Sequence, residues 1–155
     1  MIIDQRISID APLERVWSFM LDVPAVGSCV PGVEQVTTKG DGAYVGVLRV
    51  KVGPISVRLE GTLRLAEVDE AGRRARMDVH ASDRRLGGAV NAKMSMRLEP
   101  LASGGTELAF TTDAAVLGKL GQFGQAVIKR QADQLMAEFA RNVSRALVSV
   151  GPVAE

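Results

Sequence analysis

The stretch ISVRLEGTLRLAEV, residues 55–68, alternates between apolar and polar side chains from Ile55 to Leu65. The odd positions carry isoleucine, valine, leucine and glycine, and the even positions carry serine, threonine, arginine and glutamate. A period of two is typical of a β-strand with one face on a core and the other in water. The stretch therefore predicts a half-buried strand in an antiparallel sheet.

Segments 2–9, 76–84, 89–99 and 106–116 follow the same alternation, and glycine or proline separates the later ones at short turns. Residues 11–21 indicate a short helix, residues 22–34 indicate a second short helix or an irregular turn, and residues from about 118 to about 148 indicate one long helix. The predicted order is one strand, two short helices, about six strands and a long helix. A sheet with one apolar face must be covered, so we predict an α+β fold in which a curved sheet wraps around its C-terminal helix.

Length and composition limit the class of protein. A chain of 155 residues predicts a single domain, 1–155. A net charge of +1 argues against a nucleic-acid partner. Cys29 is the only cysteine, which excludes an internal disulfide and a cysteine-cluster metal site. The N-terminus lacks a signal-peptide pattern and no apolar run could span a membrane, so we expect a cytoplasmic protein.

The glycines in GKLGQFGQAVIKRQ, residues 118–131, are unusual at the start of a predicted helix. Gly118, Gly121 and Gly124 lie three apart, so in a helix they would form one bare ridge. The spacing differs from the G-x-G-x-x-G of dinucleotide loops, and Leu120 stands where a P-loop needs serine or threonine. Two alternatives remain: another element packs closely against the ridge, or the ridge leaves room for a bound molecule.

Small and flexible side chains on the predicted inward faces favour internal space. The small residues are Gly46, Gly61, Ala81, Ala92 and Ala114, and the flexible ones are Met77, Met94 and Met96. The helical wheel also turns the amide of Gln131 inward, and Thr112 and Tyr44 are candidates for the same face. Gln131 either satisfies its amide on backbone or water, or hydrogen-bonds the polar head of a ligand.

Few residues suggest catalysis. His80 falls on the polar face of its strand, where a solvated role is expected, and Cys29 has no histidine to activate it, which favours a buried structural thiol. Arginines near two turns form either a solvated edge or a docking patch for an acidic protein or anionic lipid: Arg73, Arg74, Arg76, Arg84 and Arg85. No pair of carboxylates falls on an inward face, so we expect that the protein is not an enzyme.

Several segments together resemble the family of the carbon monoxide dehydrogenase G-subunit, which belongs to the START-like, helix-grip (SRPBCC) superfamily. These are IDAPLERVWSFMLD, CVPGVE, VGPI, LEGT and GKLGQFGQAVIKRQADQLMAEFARNV. The resemblance covers nearly the whole chain. It implies a helix-grip sheet of about seven strands, a cavity between sheet and helix, and association with a molybdenum-containing carbon monoxide dehydrogenase or related hydroxylase. It also implies peripheral contact with the inner face of the cell membrane.

These observations together predict a carrier of an isoprenoid quinone, of menaquinone or ubiquinone type, with no covalent cofactor and no metal. The alternatives are an assembly or membrane-docking adaptor without ligand transfer, and a helix-grip enzyme of cyclase or hydratase type. The residues expected to contact the ligand are Phe19, Tyr44, Leu48, Leu59, Met77, Val79, Met94, Met96, Phe110, Thr112, Gly121, Gly124, Ile128, Gln131 and Leu135.

Overall fold

A computed structural model describes residues 1–150, including the side chains of residues 1–147. The last five residues of the predicted domain lie outside the described part. The chain begins with strand β1 (Ile2–Ile9) and two short helices, α1 (Leu13–Leu21) and α2 (Val23–Gly27). Six strands and a long helix follow: β2 (Val33–Gly40), β3 (Ala43–Val52), β4 (Ile55–Asp69), β5 (Arg74–Asp83), β6 (Gly88–Pro100), β7 (Thr106–Gly118) and α3 (Gln125–Val150).

The seven strands form one antiparallel sheet in the order β1-β7-β6-β5-β4-β3-β2. Strands β2 to β7 are a meander of hairpins, and β1 joins the free edge of β7. Helices α1, α2 and α3 lie on the concave face, where α3 contacts β1, α1 contacts β6, and α2 contacts β2. The predicted α+β fold, its strand number and its two short helices are confirmed.

The hydrophobic core fills the part of the concave face beneath α1 and the C-terminal half of α3. Its members are Ile9, Ala11, Val16, Trp17, Met20, Cys29, Ala75, Met96, Leu98, Leu108, Phe110, Phe139, Val143 and Leu147. The guanidinium of Arg73 lies 5.7 Å from the centre of the Trp17 ring and also pairs with Glu14. Burying aliphatic side chains at this interface is the main driving force for closing the sheet over the helices.

The predicted start of the long helix at Gly118 is wrong. Gly118 ends β7 with a φ of 66°, Gly121 begins a short 3₁₀ helix (Gly121–Phe123), and Gly124 has a φ of 90° before α3 begins at Gln125. Positive φ values exclude a right-handed helix and favour glycine, because a Cβ atom clashes in these conformations. A Cβ on Gly121 would also lie 2.7 Å from the carbonyl oxygen of Val116. These glycines therefore serve a tight connection, and they do not form a bare ridge on α3.

Candidate functional site

The concave face of the sheet divides into a packed half and an open half. In the packed half, rows such as Phe110–Met96–Ala75 run across β7, β6 and β5 and belong to the core. Further along the same strands, the row Ala114–Ala92–Val79–Leu63–Tyr44 runs from β7 to β3. Most side chains of this second row are half-buried, and none of the five belongs to the core cluster or packs against it. The face is therefore apolar but only partly covered at this end.

We call this region the open groove. Besides that row, its sheet side contains Val36, Gly46, Gly61, Ala81, Val90 and Val116 in one register row, with Leu48 and Leu59 beyond them. Met77, Met94 and Thr112 form the edge of the groove that borders the packed half, and Met94 also packs against the core cluster. Apart from Ala114, which is buried, all of these residues are half-buried. A contiguous apolar surface that stays partly exposed is a candidate binding site.

Helix α3 changes its burial along its length. Phe139, Val143 and Leu147 are buried in the core, whereas Ile128, Gln131 and Leu135 lie on the same helical face one to three turns earlier and are half-buried. The three earlier residues lie outside the core cluster, while Met136 and Ala140 still pack against it. The N-terminal half of α3 thus forms the helix side of the open groove.

Three polar side chains interrupt the apolar lining: Tyr44, Thr112 and Gln131. In the part of the chain described with side chains, none of the three makes a hydrogen bond to another protein group. Outside the groove, Thr106 donates to the Ala11 carbonyl at 2.8 Å and Gln5 donates to Asp133 at 3.0 Å. A ligand with a polar head would find free donors and acceptors in the open groove.

The structure brings together most of the predicted ligand-contacting residues. The open groove contains Tyr44, Leu48, Leu59, Met77, Val79, Met94, Thr112, Ile128, Gln131 and Leu135. Met96 and Phe110 lie in the core cluster, and Phe19 packs against it. Gly121 and Gly124 lie in the connection before α3, where Gly124 is exposed.

Nine sheet residues of the groove are not among the ligand contacts predicted from the sequence, and Leu63, Ala92 and Ala114 are three of them. Leu63 belongs to the alternating strand that predicts the fold, and Ala92 and Ala114 are small residues on predicted inward faces. All three lie on the central register row of the groove. Strand register identifies them, because it shows which inward-facing residues are neighbours across the sheet.

The remaining reactive side chains lie away from the groove. His80 is exposed on the convex face, with Nδ1 2.8 Å from Asn91 Oδ1, as the alternation predicted. Cys29 is buried in the core, and desolvation by burial raises its pKa, although a hydrogen bond from Ser28 acts against this. A thiol with a raised pKa is a poor nucleophile at neutral pH. In the described chain, no three His, Cys, Asp or Glu side chains are grouped to hold a metal ion.

The convex face carries a depression of about 370 Å³, lined mainly by residues of β1, β5, β6 and β7. Two of its three arginines have carboxylate partners: Arg6 lies 3.6 Å from Glu107, and Arg97 lies 3.3 Å from Glu99. Exposed ion pairs of this kind contribute little to stability, and their charges cancel, so the surface is close to neutral. The depression is therefore a solvated surface that is separated from the open groove by the thickness of the sheet.

This architecture is the START-like helix-grip fold. Three solved structures share it: a conserved protein from Geobacillus kaustophilus (TM-score 0.87, 20% identity, 96% of each chain covered), a START superfamily protein from Mycobacterium smegmatis (TM-score 0.71, 11% identity, 96% of this chain and 98% of that chain), and norcoclaurine synthase from Thalictrum flavum in complex with dopamine and hydroxybenzaldehyde (TM-score 0.68, 15% identity, 97% and 87%). At these identities the likeness shows the fold alone.

The chain belongs to the CoxG family, the family of the carbon monoxide dehydrogenase G-subunit, whose model matches residues 6–148. No curated protein matches the chain. Among the helices of the described part, none has the length and apolar character needed to cross a membrane. The family and the fold together define a helix-grip protein with a site for a hydrophobic ligand.

Proposed function

We propose that this protein carries an isoprenoid quinone between the membrane and a molybdenum-containing carbon monoxide dehydrogenase. The observation that carries the proposal is the open groove, an apolar surface in which Tyr44, Thr112 and Gln131 have no partner within the described side chains. An isoprenoid quinone matches this lining, because its tail is a branched hydrocarbon and its head has two carbonyl oxygens. Gln131 and Tyr44 can donate hydrogen bonds to such oxygens.

The energetics of an apolar groove suit exchange with a bilayer. Removing a five-carbon isoprene unit from water is favourable by roughly 3–4 kcal/mol, at about 0.8 kcal/mol per carbon. Transferring the same unit from a bilayer to the groove changes the free energy very little, because lipid tails are already apolar. A groove of this kind keeps the quinone out of water and can still return it to a membrane. The quinone carries the electrons, and the polypeptide carries the quinone.

Membership of the CoxG family supports the choice of redox partner, since the family takes its name from a component of carbon monoxide dehydrogenase. The synthase with the same fold holds small aromatic molecules, which supports the use of this architecture for ring-containing ligands. We propose a carrier and not an enzyme because the groove residues named above include no carboxylate, imidazole or amine for acid–base chemistry. The electrons are therefore expected to pass without covalent change to the protein.

Two alternatives make different predictions. The first alternative is an enzyme of cyclase or hydratase type, since a synthase shares the fold. Such an enzyme would convert a substrate catalytically in a turnover assay. An assembly or docking adaptor would bind the dehydrogenase with no ligand in the groove. Two observations distinguish the carrier from both alternatives. An apolar molecule should co-purify with a carrier, and that molecule should be released without chemical change.

The test is mass spectrometry of organic extracts from the purified protein, followed by titration with a short-chain quinone. The carrier proposal predicts a prenylated quinone in the extract and a higher melting temperature when quinone is added, since a ligand that binds the folded state stabilises it. A matched preparation of Ala92→Leu, which fills the groove, should contain much less quinone. If extracts contain no quinone, or phospholipid alone, and added quinone leaves the melting temperature unchanged, the quinone assignment fails.

A further inference from the structure

Three chain segments meet at the end of the sheet where the open groove lies. They are the β3–β4 turn with its flanks (51–56), the β5–β6 turn (84–88) and the segment around the end of β7 (117–120). Arg85 Nη2 donates to the Ser56 carbonyl at 2.8 Å, and the Lys119 N–H donates to the Gly87 carbonyl at 3.1 Å. These bonds join the three segments into one continuous surface, which we call the basic rim.

The basic rim contains Lys51, Arg84, Arg85 and Lys119 and has no aspartate or glutamate in any of its three segments. The nearest carboxylate, Asp83, is buried and lies 3.9 Å from Arg85. Its two oxygens accept the backbone N–H groups of Arg58 at 2.8 Å and Leu86 at 3.0 Å. Asp83 therefore fixes the β5–β6 turn against β4. Lys51, Arg84 and Lys119 have no carboxylate partner in the described structure.

The opposite end of the sheet carries both signs of charge, with Lys39 beside its β2–β3 turn and Arg73 and Arg74 at its β4–β5 turn. Its β2–β3 turn carries Asp41, and its β4–β5 turn carries Asp69 and Glu70. Arg73, in the same turn, pairs with Glu14 and Glu70. The arginines that are neighbours in sequence are thus divided between the two ends, with Arg84 and Arg85 at one end and Arg73 and Arg74 at the other. The turns at the end with the open groove therefore have a net positive charge, whereas the charges in the turns at the opposite end balance.

The basic rim also exposes apolar side chains. Ile55 is 36% exposed at the tip of the β3–β4 hairpin, beside the exposed Pro54, and Leu117 is 48% exposed at the end of β7. Leu117 directly follows Val116, which lines the groove. Exposed apolar side chains surrounded by lysine and arginine are the composition of segments that lie in a membrane interface. An anionic bilayer supplies both partners at once, because its headgroups attract the lysines and arginines and its interface accommodates the apolar tips.

We propose that the basic rim docks on an anionic lipid membrane, with Ile55 and Leu117 entering the interface and the near end of the open groove facing the bilayer. The proposal rests on the proposed function, because docking in this orientation brings the groove next to a membrane pool of quinone. Basic side chains close to an anionic leaflet are attracted to it within a Debye length, and salt weakens the attraction. Docking is therefore expected to be reversible.

The experiment is sedimentation of the full chain with quinone-free vesicles of phosphatidylcholine, with and without about one third phosphatidylglycerol. Wild-type protein should bind the anionic vesicles at low salt, bind neutral vesicles much less, and dissociate at high salt. Arg84→Glu/Lys119→Glu should bind the anionic vesicles at least about tenfold more weakly. The matched control Lys39→Glu/Arg74→Glu makes the same change in net charge at the opposite end of the sheet. Its affinity for anionic vesicles should fall much less.

A second pair of variants tests the apolar contribution. Ile55→Ser/Leu117→Ser should weaken binding by roughly tenfold, since both side chains leave water on docking. Val68→Ser, a 44% exposed residue at the opposite end, should leave binding unchanged.

Equal losses for the rim and control charge variants would overturn the proposal, because binding would then follow net charge alone. If the wild-type chain does not bind anionic vesicles, the proposal is also overturned. Binding of the rim to an acidic protein would not rescue it in that case. Quinone recovered in extracts alongside that failure would leave the proposed carrier function intact, so the two proposals fail separately.

Discussion

Gln5 and Asp133 lie 128 residues apart in the chain and are joined by a hydrogen bond of 3.0 Å from Gln5 Nε2 to Asp133 Oδ1. Lys129 Nζ lies 2.7 Å from the other carboxylate oxygen, and these two donors, Lys129 first, hold the pKa of Asp133 below its ordinary value. The bond attaches α3 to β1 near the point where the helix leaves the core and begins to cover the open groove. It is a direct tether between the sheet edge and the unburied half of the helix.

Gln5→Ala should loosen the N-terminal half of α3 without unfolding the protein. The core contacts of Phe139, Val143 and Leu147 remain, so we expect faster amide hydrogen exchange confined to residues 125–133. Thr111→Val is the matched control, because it removes another exposed hydrogen bond to β1, the 2.8 Å bond to Asp4, without touching the helix. Exchange that rises equally across the whole of α3 would show that Gln5 supports the fold in general.

Gln131→Leu should weaken quinone binding by about three- to tenfold, the effect of losing one hydrogen bond of about 0.5–1.5 kcal/mol. A hydrocarbon of similar shape should bind as well as before or better, because the amide then needs no partner. Gln134→Leu makes the same change on the exposed face of the helix and should affect neither ligand. Competition binding of both ligands to the three proteins is the measurement. Equal losses for quinone and hydrocarbon in Gln131→Leu would remove this residue from the head-group site.

Ala92→Leu should abolish ligand binding at little cost in stability. Ala92 lies between Val79 and Ala114 on the central row of the groove and is half-buried, so a larger side chain can enter the open space. Ala115→Leu, on the exposed convex side of β7, is the control and should bind ligand normally. Calorimetric titration together with thermal melts separates the two effects. A large fall in melting temperature for Ala92→Leu would mean that the groove is already filled.

Gly124→Ala should lower the free energy of unfolding by about 1–3 kcal/mol and leave ligand affinity unchanged. The backbone at Gly124 has φ 90° and ψ 153°, a conformation that residues with a Cβ atom adopt only under strain. No heavy atom would lie within 4 Å of the new Cβ, so a steric clash with the surroundings does not contribute. Gln125→Ala, one position later, is the control for denaturant melts. An unchanged stability would contradict the role assigned to the glycine.

Asp83 should make the protein less stable in acid. Hydrogen bonds from the backbone N–H groups of Arg58 and Leu86 hold its pKa below the ordinary value of 3.8, with a smaller contribution from Arg85. A group whose folded pKa is depressed stabilises the fold above its unfolded pKa and loses that contribution as the pH falls through the folded value. Stability should therefore decline below about pH 4, the ordinary range of an aspartate.

The variant Asp83→Asn should be less stable at neutral pH and should show a shallower decline below about pH 4. Asp41→Asn, at the opposite turn, replaces an exposed carboxylate and should follow the wild-type curve. Urea melts at a series of pH values give the slope of unfolding free energy against pH for both variants. An unchanged slope in Asp83→Asn would mean that other carboxylates dominate the acid response.

Much of the architecture follows from local pattern alone. The alternation of residues 55–65 and of the later strands determines which side chains face inward, because successive residues of a strand point to opposite sides of the sheet. Local pattern also indicates that Thr112 faces inward and His80 outward, whereas the inward facing of Tyr44 follows only from strand register. Local pattern fails at the glycines before α3, since spacing alone cannot distinguish a helix ridge from residues that need a positive φ. Only the backbone angles show that Gly118 and Gly124 lie outside the helix.

The open groove and the basic rim were decided by tertiary structure. Inward-facing residues such as Met96 and Val79 look alike in the sequence, yet the first is buried in the core and the second lines the groove, because α1 and the C-terminal half of α3 cover only part of the sheet. Likewise, Arg74 and Arg84 are ten positions apart on one strand and its turn, and strand length carries them to opposite ends of the molecule. Periodicity determines the face on which a side chain lies. Which elements cover that face, and which turns meet at its end, depends on contacts between residues far apart in the chain.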